Sequence, residues 1–299
     1  MSINRSAETP ERLLHRLDWQ VIRRLDGLLQ GDYRSLFYGQ GVDFADLREY
    51  QPGDDIRYID WNVTARMDLP HVRQYIEDRE ISAWFLLDLS PSMDFGAVDN
   101  LKRTVLINFV ATIARLLTRH GNRIGAILYG SNVDRTIPAR GGRVQVLRLI
   151  NDLLKQPQLD QAPFTDLTKL LNAGLYTLKQ RSLVFVISDF ITTPGWDRPL
   201  KLLSQRHEVL TIRLWDPRET ALPNIGTIVM EDAETGEQLY VDTGDPAFRR
   251  RFTEAATARE AEIATTFRRA GVDALTLSTE DDLVRAIVRF ATLRARRRR

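Results

Sequence analysis

From residue 82 onward the chain alternates short apolar runs with longer amphipathic stretches. The apolar runs predict strands at 82–88, 123–129, 133–137, 182–188, 208–214 and 272–277. Apolar positions at helical spacing predict helices at 100–119, 143–155, 166–178, 197–205, 246–270 and 281–293. Because this alternation is typical of βαβ units, we expect an α/β fold with a doubly wound, mostly parallel sheet.

Two hairpins interrupt that alternation. The run ending at Leu128 is followed by Tyr129-Gly130-Ser131-Asn132 and then by a second strand, which predicts one antiparallel edge strand. Residues 225–242 contain two short strand patterns around Glu234-Thr235-Gly236 and predict a small surface hairpin inserted into the α/β region.

The first 80 residues have a different pattern. Apolar positions over 11–30 predict one amphipathic helix, and residues 39–79 mix charged and aromatic residues in a way that predicts short helices and turns, with a strand near 72–76. We therefore predict an N-terminal helical and irregular segment at 1–80, an α/β domain at 81–293 and a basic, disordered tail at 294–299.

Composition narrows the functional classes. The 299 residues include no cysteine, so a disulfide, a thiolate metal site and a cysteine nucleophile are excluded. The start lacks the apolar core of a signal peptide and no apolar run is long enough to span a membrane, so we expect a cytoplasmic protein without a membrane partner. The net charge of +2 includes five C-terminal arginines, and the rest of the chain is slightly acidic, which argues against specific binding of nucleic acid.

Polar oxygens follow the two most apolar predicted strands. Asp88, Ser90 and Ser92 come at the end of the run that starts at Trp84, and Asp189 comes at the end of the run 183–188. Because ligands of open α/β sheets lie outside the carboxyl ends of the strands, these groups form a candidate site for a hard cation. Thr165, just before a predicted helix, is a further candidate ligand at this edge of the sheet.

Each of these residues also has a structural explanation. Asp88 and Asp189 can simply end strands, and the two serines can form a turn around Pro91. Thr165 can be a helix N-cap. Thr168 competes with Thr165 as the threonine ligand, although it falls inside the predicted helix.

The pattern Asp88-x-Ser90-x-Ser92, followed by Thr165 and then Asp189, resembles the metal-ion-dependent adhesion site of von Willebrand factor type A domains. The resemblance implies that these five residues bind Mg²⁺, or alternatively Mn²⁺ or Ca²⁺. It implies Ser90 and Ser92 as direct ligands, and Asp88, Thr165 and Asp189 as ligands that bind directly or through water. Many type A domains have glycine after the last aspartate, whereas this chain has Phe190.

A longer pattern lies upstream, from Gly41 through Tyr50, Pro52-Gly53-Asp54-Asp55 and Asp60-Trp61 to Arg66. It resembles the bacterial family called domain of unknown function 58, whose members join this segment to a type A domain. Within the segment we predict that Arg48, Arg57 and Arg66 bridge Asp46, Asp55 and Asp60 while Tyr58 and Trp61 pack beneath them. Such a network serves either as a structural brace or as a docking face.

The resemblance implies a metal-dependent protein-binding adaptor. Its expected partners are an AAA+ ATPase of the MoxR type and a client protein that supplies an Asp or Glu to the metal, in chaperone-like remodelling or cofactor insertion. The alternatives are a metal-free structural scaffold and a metal-dependent hydrolase or phosphatase. We expect no enzymatic activity, since no Gly-x-x-x-x-Gly-Lys loop and no Gly-x-Ser-x-Gly elbow occur in the sequence.

Overall fold

The computed structural model describes residues 8–25, 46–52, 54–56, 59–67, 69–74, 82–97, 100–159 and 163–297. Two compact units divide the chain. Residues 37–80 form one unit, and residues 1–36 with 81–299 form the other. The N-terminal helix therefore belongs to the unit that holds the sheet, and not to a separate 1–80 segment as predicted.

A six-stranded sheet forms the centre of the larger unit. In chain order the strands of the described residues are β1 Asp46–Glu49, β2 His71–Gln74, β3 Ser82–Asp88, β4 Gly96–Ala97, β5 Asn100–Leu101, β6 Arg123–Tyr129, β7 Val133–Arg140, β8 Leu183–Ser188, β9 Glu208–Trp215, β10 Thr227–Glu231, β11 Gln238–Asp242 and β12 Asp273–Ser278. The large sheet has the order β12-β9-β8-β3-β6-β7. All its neighbours are parallel except β7, which pairs antiparallel with β6. The predicted fold class is confirmed: the mixed α/β architecture is consistent with a Rossmann-like or type A-like fold.

Helices cover both faces of this sheet. In chain order the helices of the described residues are α1 Pro10–Leu17, α2 Trp61–Met67, α3 Lys102–Arg119, α4 Gly142–Lys155, α5 Leu167–Thr177, α6 Asp197–Arg206, α7 Pro246–Ala270 and α8 Leu283–Arg297. Helix α2 belongs to the smaller unit, and the other helices belong to the unit that holds the sheet. Each helix predicted between 100 and 293 is present with ends within a few residues of the prediction. Two short 3₁₀ turns, Pro91–Asp94 and Pro217–Glu219, follow β3 and β9.

Side-chain alternation explains why the central strands are apolar throughout. Phe85 of β3 stacks on Phe185 of β8 at 5.1 Å, and Phe109 of α3 contacts Phe185 edge-on. Leu86 and Val186, which follow Phe85 and Phe185, lie in the buried cluster that includes α5, α6 and α7. Since successive side chains of a strand point to opposite faces, both faces of β3 and β8 are buried, and alternating polar positions are excluded.

The N-terminal helix packs on α3 and α4. Leu13, Leu14 and Leu17 are buried, and Asp18 pairs with Arg115 of α3 at 3.5 Å. A π-helical stretch, Asp18–Ile22, continues α1. The predicted helix over 11–30 is confirmed through residue 25, and residues 26–30 lie outside the described part of the chain.

The smaller unit contains the antiparallel pair of β1 and β2 and the short helix α2. Buried Asp60 caps α2 by accepting a hydrogen bond from the Val63 amide at 3.2 Å. Trp61 is 68% exposed, so the prediction that it packs beneath the charged network is wrong. Arg57 and Tyr58 lie outside the described residues, so the predicted network and the choice between brace and docking face stay predictions.

The C-terminal prediction also needs a correction. Helix α8 extends to Arg297, and Arg294 is buried with its guanidinium paired to Glu208 and, at 2.8 Å, to Asp273. Arg294 therefore links the last helix to β9 and β12 and is no part of a disordered tail. The sequence predicts a helix end at 293 because Arg294 is charged, and the two acidic partners of Arg294 are distant in sequence.

Candidate metal centre

The candidate residues lie where the strand order of the sheet reverses. The chain passes from β3 outward to β6 and β7, and then returns to the other side of β3 with β8. In doubly wound sheets the crevice at such a reversal, outside the carboxyl ends of the strands, is where ligands bind. Asp88 ends β3, and Asp189 follows β8 directly.

Asp88 is fully buried and held at both oxygens. Its Oδ1 accepts a hydrogen bond from the Ser90 amide at 3.0 Å, and its Oδ2 accepts one from the Ser188 hydroxyl at 2.6 Å. The Ser90 and Ser92 hydroxyl oxygens lie 3.2 Å apart. Three of the predicted ligands are therefore brought together by the turn after β3, and a turn around Pro91 does not by itself explain why the Asp88 carboxylate is buried.

Arg103 fixes that turn. Its guanidinium donates to both carboxylate oxygens of Asp94, at 2.6 and 3.0 Å, and to the Leu89 carbonyl at 3.1 Å. A bidentate arginine pair of this kind sets both distance and orientation. The serine loop is thus anchored to α3 from two sides.

Thr165 is buried in the loop before α5. Asp166, and not Thr165, is the N-cap of α5, since the Asp166 side chain accepts a hydrogen bond from the Thr168 amide at 3.0 Å. The Thr165 carbonyl accepts a hydrogen bond from the Thr192 hydroxyl at 2.6 Å, which joins this loop to the loop after β8. The N-cap explanation of Thr165 is therefore wrong, and its hydroxyl is free to serve another group.

That group is Glu234, at the tip of the hairpin formed by β10 and β11. The Glu234 carboxylate accepts a hydrogen bond from the Thr165 amide at 2.6 Å and a second from the Thr165 hydroxyl. Ser92, Thr165 and Glu234 line one cavity of about 810 Å³, together with Phe95, Phe164 and Leu239. Of the five predicted ligands, Ser92 and Thr165 thus line this partly apolar cavity, and Asp88, Ser90 and Asp189 are not among its lining residues.

Asp189 has a partner that the sequence analysis missed. The ammonium of Lys102, the first residue of α3, lies 2.7 Å from the Asp189 Oδ2 and 2.5 Å from a Glu219 oxygen. Lys102 is itself fully buried. One sequence signal was available: a lysine in the first turn of a helix opposes the helix dipole, so it needs a nearby carboxylate.

We use the term rim for the edge of the sheet at the ends of β3 and β8, with Thr165 and Glu234 beside it. Carboxylates dominate the electrostatics of this rim. Burial, with the nearby Asp189 charge, raises the pKa of Asp88 to about 6. Burial by itself would also raise the pKa of Asp189, but the Lys102 ammonium, assisted by Arg213, holds it below the usual value. The pKa of Glu234 is raised by burial and by Asp189. A bound divalent cation would neutralise such a surplus of negative charge.

The donor set suits a hard cation. Within the described residues no group of three or more His, Asp or Glu side chains could hold a metal ion by itself. The hydroxyls of Ser90, Ser92 and Thr165 with the Asp88 carboxylate are, however, the oxygen ligands that Mg²⁺ takes, with water completing a shell of about six. These four residues fit the ion, whereas Asp189 is engaged by Lys102 and suits an indirect role.

The loop after Asp189 is shaped by Phe190, which adopts a left-handed φ of 53°. Its ring is buried against Phe267 at 4.8 Å and Trp196 at 5.3 Å. Glycine adopts this backbone conformation without strain, and phenylalanine does not. The predicted departure at this position is thus explained, because core packing of the ring holds a backbone shape that glycine would otherwise supply.

Comparison with protein-family models identifies the family of this chain. Residues 46–262 match the model of the family described as "Protein of unknown function DUF58". The chain belongs to the DUF58 family. The matched region includes the upstream pattern from Asp46 onward and all five candidate ligands.

Mycobacterial relatives agree with this assignment. The chain is 39% identical over 283 residues to "Uncharacterized protein Rv1480" of Mycobacterium tuberculosis (strain ATCC 25618 / H37Rv). The aligned region covers 95% of this chain and 89% of that relative. "Uncharacterized protein Mb1516" of Mycobacterium bovis is similar to the same extent. These names describe no activity.

Solved structures resemble the DUF58 chain only distantly. A conserved hypothetical protein BatB from Bacteroides thetaiotaomicron is 13% identical, with a TM-score of 0.46 over 72% of this chain and 99% of that chain. An aerotolerance-related membrane protein from Bacteroides fragilis is 12% identical, with a TM-score of 0.48 over 73% and 99%. These TM-scores are too low for the similarity to support a structural or functional assignment. In the described part of this chain, no helix has the length and apolar character needed to cross a membrane.

Proposed function

We propose that this DUF58 protein is a metal-dependent adaptor that binds an acidic side chain of another protein at the rim formed by β3 and β8. The observation that carries the proposal is the cluster of buried oxygen ligands at the strand-order reversal, where Ser90 and Ser92 lie 3.2 Å apart beside Asp88. The likeness of this cluster to a metal-ion-dependent adhesion site belongs to the same proposal. We further propose that the protein works in the cytoplasm.

Asp88, Ser90, Ser92 and Thr165 would hold the ion, and Asp189 would act on it indirectly. The bound ion would supply an open coordination position that a carboxylate oxygen can fill. The protein keeps Asp88 oriented through Ser188 and the Ser90 amide, so the carboxylate needs no rearrangement to bind the ion.

The surroundings of the rim suit a protein partner. Phe164 and Leu239, which line the cavity, and Tyr240, which follows Leu239 in β11, are each more than 60% exposed. Exposed aromatic and apolar side chains around a recessed polar group are typical of a protein interface. The partner that family resemblance suggests is an AAA+ ATPase of the MoxR type, with a client protein as a further partner.

The test is co-purification with a MoxR-type ATPase from the same organism, in Mg²⁺ and in EDTA. We expect a complex to form in Mg²⁺ and to dissociate in EDTA. The Asp88→Ala variant should form no complex. Glu254→Ala, which removes an exposed carboxylate paired with Arg250 on α7, is the matched control and should bind like the wild type. A complex that withstands both EDTA and Asp88→Ala would refute the metal-dependent mechanism.

A metal-free scaffold is the second candidate, and one contact favours it. The Lys102 ammonium already supplies a positive charge to Asp189 and Glu219. Calorimetric titration with Mg²⁺ and Mn²⁺ separates the two candidates. Heat that disappears in Asp88→Ala supports the adaptor, and the absence of any heat supports the scaffold.

A further inference from the structure

The hairpin of β10 and β11 buries one charged residue. Of residues 231–240, all of which the structure describes, Glu234 alone is buried, at 8% exposure. Both of its hydrogen bonds to Thr165 connect the hairpin tip to the candidate metal centre. The contact is therefore a specific one between a carboxylate and the rim, and not general packing of the hairpin.

The hairpin has hydrogen bonds of its own that do not involve Thr165. At the tip, Asp232 accepts hydrogen bonds from the amides of Glu234 at 3.0 Å and of Thr235 at 2.8 Å. At the base, the Thr243 hydroxyl donates to the Gly226 carbonyl at 2.6 Å and accepts from the Ile225 amide at 3.0 Å. Because both ends are closed by their own hydrogen bonds, release of Glu234 would free the tip while the hairpin stays folded.

A carboxylate is a poor choice for a purely structural contact here. The rim already holds Asp88 and Asp189, and burial together with Asp189 raises the pKa of Glu234. An amide could accept a hydrogen bond from the Thr165 hydroxyl without adding charge. A negative charge kept beside other negative charges makes sense when the site is built to receive a carboxylate.

We propose that Glu234 is an internal ligand of the rim: its carboxylate occupies the position that a partner's Asp or Glu takes, and it must leave before the partner binds. This inference rests on the proposed function, because it names what regulates the same site. The hairpin then acts as a tethered competitor that weakens partner binding until an acidic side chain displaces it.

The first experiment measures the carboxylate position without a partner. In hydrogen exchange with Mg²⁺ present, Glu234→Ala should speed exchange at the Thr165 amide and at 231–237 by about tenfold or more, since a hydrogen bond to a charged group is lost. Added sodium acetate, which replaces the missing carboxylate, should restore protection at Thr165 but not at the untethered tip. Sodium chloride at the same concentration should restore neither.

Glu237→Ala is the matched control for that experiment, because Glu237 is an exposed carboxylate of the same tip. It should exchange like the wild type. If Glu234→Ala leaves exchange unchanged, or if acetate fails to protect Thr165, the rim does not receive a carboxylate at this position and the inference is overturned.

The second experiment measures competition. Glu234→Gln should bind the MoxR-type ATPase about tenfold more tightly than the wild type, whereas Glu237→Gln should not differ from it. A purely structural Glu234 would give equal or weaker binding in Glu234→Gln, and that result would overturn the inference while Asp88-dependent binding still supported the proposed function. If neither the wild type nor Glu234→Gln binds the ATPase, although acetate protects Thr165, the proposed partner is wrong and the carboxylate position stands.

Discussion

The ends of β3 and β8 look alike in sequence and behave in opposite ways. Each is an apolar run that ends in a fully buried aspartate, and the two carboxylates influence one another electrostatically. Yet burial raises the pKa of Asp88 to about 6, whereas the Lys102 ammonium lowers the pKa of Asp189 despite equal burial.

The difference comes from partners that the strands do not contain. Asp88 receives neutral donors, which are the Ser188 hydroxyl, the Ser90 hydroxyl and the Ser90 amide, and they lower its pKa less than burial raises it. Asp189 receives a full positive charge from the start of α3. Asp88 is therefore left able to attract a cation, whereas Asp189 already has one in the Lys102 ammonium.

The largest expected effect on the free energy of unfolding comes from removing the Lys102 ammonium. Lys102→Met leaves Asp189 and Glu219 without their shared ammonium, and we expect a loss of about 3–5 kcal/mol of unfolding free energy, as for one partner of a buried ion pair. Urea unfolding monitored by tryptophan fluorescence measures it.

A double variant tests whether the cost arises from the orphaned charge. Lys102→Met with Asp189→Asn should recover part of the loss, because the remaining buried group is neutral. Independent, additive losses in the two single variants would contradict the pairing.

The second effect concerns the residue after Asp189. Phe190→Ala should cost about 3 kcal/mol through the lost ring packing with Trp196 and Phe267. Phe190→Gly should be more stable than Phe190→Ala by about 1 kcal/mol, because glycine removes the strain of the left-handed backbone. Thermal unfolding of the two variants side by side is sufficient, and a less stable glycine variant would show that the backbone is unstrained.

The third effect is a difference in pH dependence, measured in EDTA. Because the folded pKa of Asp88 lies above its unfolded value of about 3.9, its contribution to stability is present at low pH and declines by roughly 2–3 kcal/mol as the pH rises through 6. The folded pKa of Asp189 is lowered, so its contribution is present above about pH 4 and lost below. Asp88→Asn and Asp189→Asn should therefore change the slope of stability against pH in opposite directions.

His207 must be controlled in that measurement. Burial and the neighbouring Arg206 lower its pKa, so its contribution to stability is present above an unfolded pKa of about 6.5 and lost as the pH falls. This sign is opposite to that of Asp88 over an overlapping range. The comparison is cleanest in a His207→Gln background, and equal slopes for the two aspartate variants there would contradict the assigned pKa directions.

The strands and helices of the sheet unit were predictable because their hydrophobic patterns are local. The prediction also included Asp88, Ser90, Ser92 and Asp189, since strand ends meet at one edge of a parallel sheet. Thr165 was predicted as a further ligand from its position just before a predicted helix, and the structure places it against the same cavity as Ser92. The exposure of Trp61 and the burial of Arg294 could not be predicted, because each depends on neighbours far away in sequence.

The sequence alone is enough to predict the mixed α/β architecture and which strand ends carry clustered polar oxygens, because alternation of apolar and polar positions specifies which faces are buried. The charge of the site, in contrast, follows from the tertiary structure. Lys102, Glu219 and Glu234 reach the rim from a helix start, a 3₁₀ turn and a hairpin tip that share no local pattern. The strength of electrostatic interactions depends on distance through space and on burial, and neither quantity can be read from positions along the chain.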